Sequence, residues 1–163
     1  MDEHLLHAAE MLGEVLKKRG LTCATAESCT GGLVGAALTA IPGSSAWFAG
    51  GVIAYANSAK QHLLGVSANA LTTHGAVSHE VVRQMALGAC AALNTDLAVS
   101  LSGVAGPDGG SPEKPVGTVF IGLTFRGKVQ SFLCRFDGDR SQVRAAAAHE
   151  AINRMIQVLE TGA

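Results

Sequence analysis

The fold turns on the stretch "LTCATAESCTGGLVGAALTAIPGSSAWFAGGVIAYA", residues 21–56. Leu21 to Ser28 reads as a buried strand. Residues 30–40 read as an apolar helix that opens at Gly31-Gly32 and is ended by "IPGSS" (41–45). "WFAGGVIAYA" (47–56) is a second strand, in which Gly50-Gly51 marks a bulge or a close backbone approach. Strands separated by a helix pair in parallel, so this stretch places the chain in the α/β class.

Working outward, residues 4–19 carry Leu5, Ala8, Ala9, Leu12, Val15 and Leu16 at helical spacing, and Gly20 provides a stop. Residues 57–76 are mixed, with short helical turns. A clear helix spans 78–93, with Ser78 as N-cap and Val82, Met85, Ala86, Ala89 and Leu93 on one face. "DLAVSLSG" (96–103) is a third strand, followed by the Gly/Pro-rich loop "GVAGPDGGSPEKP" (103–115). "VGTVFIGLTF" (116–125) and "KVQSFLCRF" (128–136), joined by Arg126-Gly127, form a hairpin. A helix from about 141 to 160, capped by Ser141 or Asp139, closes the chain. The order α-β-α-β-α-α-β-β-β-α predicts one domain over residues 1–163. Its form is a three-layer α/β/α sandwich on a mixed, mostly parallel five-stranded sheet.

Composition narrows the function. Of 163 residues, 48% are hydrophobic and only 4% aromatic, so the core is built from Ala, Val, Leu and Ile. No apolar run reaches the roughly 18–20 residues of a membrane helix. The acidic, amphipathic start "MDEHLLHAAE" is no secretory signal. A net charge of −1 gives no broad basic footprint for nucleic acid, though a small site for one phosphate remains open. Cys23, Cys29, Cys90 and Cys134 show no metal-ligand spacing, and the histidines, His62 among them, are scattered; no metal site is expected. Reduced thiols and no export signal point to the cytoplasm.

In an α/β sheet the site lies beyond the carboxyl ends of the parallel strands. Three such ends are rich in polar residues or glycine. In "ESCTGG" a serine past a strand end supports two readings. Ser28 or Thr30 is a helix cap. Alternatively, Ser28 is a nucleophile, with N–H groups near Thr30-Gly31-Gly32 and the helix dipole holding an oxyanion. Cys29 is a rival nucleophile. In "AYANSAK", Tyr55 and Lys60 are a strand-end tyrosine and a surface lysine, or a proton relay in which burial lowers the pKa of Lys60. "SGVAGPDGG", with Gly103, Ala105 and Gly106, is a plain loop or a backbone cradle for an anion; it is neither a Walker A nor a dinucleotide motif. Arg140 and Arg144, one turn apart in "FDGDRSQVR", are solvated or clamp a phosphate.

Taken together, "TAESCTGG", "GSSAWFAGGVIAYANSAK", "GAVS", "SGVAGPDGGSPEKPVGTV" and "FDGDRSQVR" resemble the CinA C-terminal domain family over residues 5–160. The resemblance implies a three-layer α/β/α fold and hydrolysis of the carboxamide of nicotinamide mononucleotide, without metal or cofactor. It implies Ser28 as nucleophile, Lys60 with Tyr55 as base, and Thr30, Gly31 and Gly32 at the oxyanion. Gly103, Ala105, Gly106 and Arg140 would hold the nucleotide. It also implies a homodimer with a small-molecule nucleotide as partner, and neither nucleic acid nor membrane. A second reading from the same resemblance is a nucleotide-binding regulatory module without catalysis.

Overall fold

The computed structural model describes residues 1–162. Strand β1 (Cys23–Glu27) lies inside the sheet, buried along its whole length. β2 (Phe48–Ile53) and β3 (Leu97–Gly103) flank it, both parallel to it. β4 (Thr118–Phe125) runs antiparallel to β3, and β5 (Lys128–Arg135) antiparallel to β4. The sheet order is β2-β1-β3-β4-β5, so β4 alone opposes the other strands. Arg126 and Gly127 join β4 to β5 with φ of 52° and 80°. Positive φ at both positions gives the turn whose twist suits a two-residue hairpin.

The two faces are packed differently. α1 (Glu3–Arg19), α2 (Leu33–Thr39) and α6 (Arg140–Thr161) cover one face. Leu12, Leu16, Ile152 and Met155 meet Leu97, Val99, Ile121 and Leu123 there. α5 (His79–Leu93) covers the other face with α3 (Asn57–Leu64) and α4 (Ala68–His74). Here the strands present small residues, Ala24, Ala26 and Ala98, so α5 packs close. At Gly122 an added Cβ would collide with the Val82 carbonyl and Ser100 Oγ. Ser100 Oγ in turn donates to that carbonyl. No described helix is long and apolar enough to cross a membrane.

Most elements fall where the sequence pattern puts them. Gly20 ends α1 in the left-handed conformation, and Ser78 Oγ caps α5 by accepting from Val81 N. The register of β1 on β2 shifts between Cys23 and Ala24, opposite the Phe48–Gly50 step, in keeping with the paired glycines. Asp139, not Ser141, caps α6, in a capping box with Gln142. The one consequential difference is α2. It starts at Leu33, not at residue 30, because Gly31 and Gly32 sit at φ of 60° and 102°. Residues 28–32 are therefore turns, and Ser28 stands outside the helix.

Candidate active site

Beyond the ends of β1, β2 and β3 lies a cleft of about 210 Å³. Ser28 and Cys29 enter it from β1, Tyr55 and Lys60 from the segment after β2, and Ser102, Gly103 and Ala105 from β3 and its loop. Arg140, the first residue of α6, closes one side. The three strand ends singled out in the sequence thus converge.

Ser28 is 7% exposed, and its N–H donates to Leu101 O, extending the β1–β3 contact one residue past the strand. Its Oγ is 3.1 Å from Lys60 Nζ. Lys60 projects from the first turns of α3 and is 1% exposed. Its ammonium also donates to the main-chain carbonyl of Tyr55 at 2.9 Å. Burial strips water from the charged form and holds the pKa below the ordinary lysine value; the neighbouring Cys29 opposes this. A lysine so placed takes a serine proton more readily than an exposed one.

The cap reading of Ser28 and Thr30 is not what the structure has. Glu27, the last residue of β1 and 1% exposed, does the capping. Its Oε1 accepts from Val34 N at 2.9 Å and its Oε2 from Gly35 N at 3.0 Å. Thr30, fully buried, donates its hydroxyl to Glu27 Oε1 at 2.7 Å and so faces inward. The carboxylate occupies the N-terminus of α2, the place where the sequence pattern suggests a helix-dipole anion site. Among the described residues Ser28 Oγ is left to Lys60. Sequence reasoning assigns Glu27 no role, although an acid directly before the serine is the available signal.

Of the three residues assigned to an oxyanion, Gly31 has its N–H committed to Ser28 O at 3.0 Å. None of Thr30, Gly31 and Gly32 lines the cleft, whereas Cys29 does. The surroundings of Cys29 disfavour its thiolate. Burial pushes its thiol up to about 11, and the neighbouring Glu27 adds to this. Its own N–H, Arg144 and Lys60 only partly offset it.

Tyr55 is 63% exposed. Its phenol lies not on Lys60 but on Arg140, whose Nη2 is 3.3 Å from the hydroxyl. Arg140 Nη1 donates to Gly106 O at 2.7 Å, so one guanidinium ties the β2 end to the β3 loop. Arg144 departs from the phosphate-clamp expectation: it is bonded to the carbonyls of Cys29 and Thr30. Ser102 is 2% exposed and lines the cleft, although its place inside a strand pattern gives no sign of this. Among the described residues no group of three His, Cys, Asp or Glu side chains is placed to hold a metal.

This geometry defines an α/β protein with a buried Ser–Lys pair at the carboxyl ends of its parallel strands. The CinA C-terminal domain pattern matches residues 6–159, and the chain belongs to that family. A nicotinamide-nucleotide amidohydrolase PncC of Escherichia coli (strain K12) is 50% identical over 157 residues, which cover 96% of this chain and 95% of that one. The PncC of Enterobacter agglomerans is 52% identical over 150 residues, 91% of this chain and 92% of its own. The crystal structure of the competence/damage inducible protein CihA from Agrobacterium tumefaciens superposes with a TM-score of 0.94. It is 41% identical and covers 97% of each chain.

Proposed function

We propose that this protein hydrolyses the carboxamide of nicotinamide mononucleotide, giving nicotinate mononucleotide and ammonia. The observation that carries the reading is the 3.1 Å contact of Ser28 Oγ with a buried Lys60. Whole-length similarity to two proteins named nicotinamide-nucleotide amidohydrolase supplies the substrate.

The proposed steps draw on these contacts. Neutral Lys60 takes the Ser28 proton as Oγ attacks the amide carbon. The Tyr55 carbonyl fixes the lysine Nζ by accepting one of its hydrogens. N–H groups directly after Ser28 stabilise the oxyanion. Lys60 passes its proton to the leaving nitrogen, ammonia departs, and an acyl ester on Ser28 remains. Lys60 then deprotonates the attacking water, and the ester breaks to release the carboxylate and restore the serine. Arg140, steadied by Gly106 O and the Tyr55 phenol, meets the phosphate, with Gly103 and Ala105 forming the adjoining wall.

Ammonia release from the mononucleotide tests the reading. Ser28→Ala should lower kcat by about 10³-fold or more, while circular dichroism stays that of the parent. Near-normal turnover in Ser28→Ala combined with loss in Cys29→Ala would assign the reaction to the thiol instead. A wild-type protein that binds the mononucleotide and releases no ammonia would leave the regulatory-module reading in its place.

A further inference from the structure

Arg144 lies one turn beyond Arg140 on α6, yet it does not reach the cleft. Its guanidinium forks onto consecutive carbonyls of the serine turn. Nε donates to Cys29 O at 3.1 Å and Nη2 to Thr30 O at 3.0 Å. We propose that Arg144 is a positioning residue for the hydrolytic reaction: through the serine turn it orients and polarises the N–H of Cys29, the cleft-lining residue directly after Ser28, as the oxyanion donor. This rests on the amidohydrolase reading above.

Three peptide units connect the guanidinium to that donor. A trans peptide sets its N–H and C=O on opposite sides. The Cys29–Thr30 bond is trans, since the cis bond of the described chain is Gly106–Pro107. With Cys29 O turned toward α6 and Arg144, the Thr30 N–H points away from α6. The next peptide is held by Thr30 O, and its own N–H, from Gly31, donates to Ser28 O at 3.0 Å. That bond fixes the Ser28–Cys29 peptide, whose N–H belongs to Cys29. Arg144 therefore orients the Thr30 N–H directly and the Cys29 N–H through one relayed bond.

Polarisation follows the same path. A cation on a peptide oxygen draws charge through the amide and strengthens the N–H of that unit as a donor; linked bonds reinforce one another. Several neighbouring donors are already used: Gly31 N on Ser28 O, Leu33 N on Thr30 O, and Val34 N and Gly35 N on Glu27. Neither the Cys29 nor the Thr30 N–H has a carbonyl or carboxylate acceptor among the described residues. Thr30 is also held from behind by Glu27, so the turn is fixed on both sides. An added Cβ at Gly31 would make only an ordinary 3.4 Å contact with the Arg144 guanidinium; glycine is favoured there by its φ of 60°.

The test compares wild type, Arg144→Gln and Arg144→Lys. Two readouts are used: steady-state turnover of the mononucleotide, and the rate at which a fluorophosphonate, losing fluoride, labels Ser28. In Arg144→Gln, kcat should fall about 100-fold with KM changed less than about threefold, the pattern for a group acting only in the transition state. Labelling of Ser28 should slow in step, and affinity for the carboxylate product should be unchanged. Arg144→Lys should recover part of kcat, because it restores charge without the fork. Unchanged kcat and labelling in a folded Arg144→Gln overturn the proposal. So do equal losses of kcat and of product affinity, which would mark general loosening. If Arg144→Gln does not fold, Arg144→Lys decides, and full wild-type kcat there counts against the fork. If wild type leaves the mononucleotide untouched, the substrate reading fails, and the labelling rates still judge Arg144.

Discussion

α2 and α6 start in opposite ways. α6 opens with a local capping box: Asp139 Oδ1 accepts from Gln142 N at 2.9 Å, and Gln142 Oε1 accepts from Asp139 N at 2.8 Å. Everything needed lies within four residues. α2 opens after two left-handed glycines and takes its cap from Glu27, on the strand before the turn. The difference has a chemical consequence. A local cap would have engaged the serine or threonine of the turn with backbone N–H groups. A cap supplied from the strand leaves Ser28 Oγ to Lys60 and leaves the Cys29 and Thr30 N–H groups without a carbonyl or carboxylate acceptor among the described residues. The local cap of α6, for its part, fixes Arg140 at the cleft mouth. On the amidohydrolase reading proposed above, one start releases the nucleophile and the other holds a cation.

The largest effect expected from breaking this arrangement is at Lys60. Lys60→Met fills nearly the same volume without charge and should abolish turnover, by about 10³-fold or more. It should also raise the melting temperature near neutral pH, since replacing a buried charge with a packed apolar side chain is commonly stabilising. The sign of the pH dependence follows from the lowered pKa. Between the folded-state value and the ordinary lysine value, the unfolded chain binds one more proton than the folded chain. Stability from this group therefore rises with pH across that window and is flat below both values. In wild type, kcat/KM should climb over the same lower limb, as Lys60 becomes neutral. A kcat/KM that falls as pH rises through that limb would mean Lys60 acts as a cation instead of a base. Thermal melts from about pH 6 to about pH 10 on both proteins, spanning the range in which a lysine with a lowered pKa titrates, test the pair together with initial rates for wild type.

Next in size is the cation at the other start. Arg140→Ala should cost about 2–4 kcal/mol in kcat/KM for the mononucleotide, the scale for leaving a charged group without its partner. The riboside, which lacks the phosphate, should lose far less. Equal losses on the two substrates, with the circular dichroism of the parent, would show that Arg140 serves only to tie Tyr55 to Gly106.

How far the sequence reaches can be seen in these same residues. Hairpin turn, Ser78 cap, paired-glycine bulge and layer order all depend on near neighbours or on strict periodicity, and the amino-acid sequence alone makes them legible. The CinA resemblance puts Ser28 and Lys60 in one site, and the folded chain brings them to 3.1 Å. Contacts across long separations are what local pattern does not carry. Arg144 reaches Cys29 and Thr30 over more than a hundred residues, and nothing in its local spacing separates it from a solvated arginine. The start of α2 is ambiguous in sequence because glycine is compatible with helix or turn, and only the conformations of Gly31 and Gly32 decide between them. The sequence pairs Tyr55 with Lys60 through the phenol, whereas the contact is through the Tyr55 carbonyl, which every residue type has.

The sharpest test of the comparison concerns the two caps, and it includes the smallest effect, at Asp139. Asp139 is exposed, and its loss strands one helix N–H that water can reach, so Asp139→Ala should cost about 1 kcal/mol. Glu27 is buried and serves two N–H groups and the Thr30 hydroxyl; Val34 and Thr30 are themselves buried, and Gly35 is half-buried. Glu27→Ala should therefore cost about 3 kcal/mol, the loss of several charge-assisted bonds together with desolvated donors. Glu27→Gln separates shape from charge. It keeps the reach of the side chain, but its amide end presents hydrogens where Oε1 or Oε2 accepts, so it should fall between the other two. Urea unfolding of the three variants gives the order, provided the m-values stay alike. Activity adds a second axis. Asp139→Ala should leave Ser28 chemistry almost untouched, whereas Glu27→Gln should slow it even at temperatures where the variant is fully folded. The reason is that a neutral amide holds the Thr30 hydroxyl more weakly than the carboxylate, while Arg144 still pulls on the Thr30 carbonyl. If Asp139→Ala and Glu27→Gln lose equal stability and equal activity, the strand-borne cap is only another helix cap, and the contrast between the two helix starts carries no functional meaning.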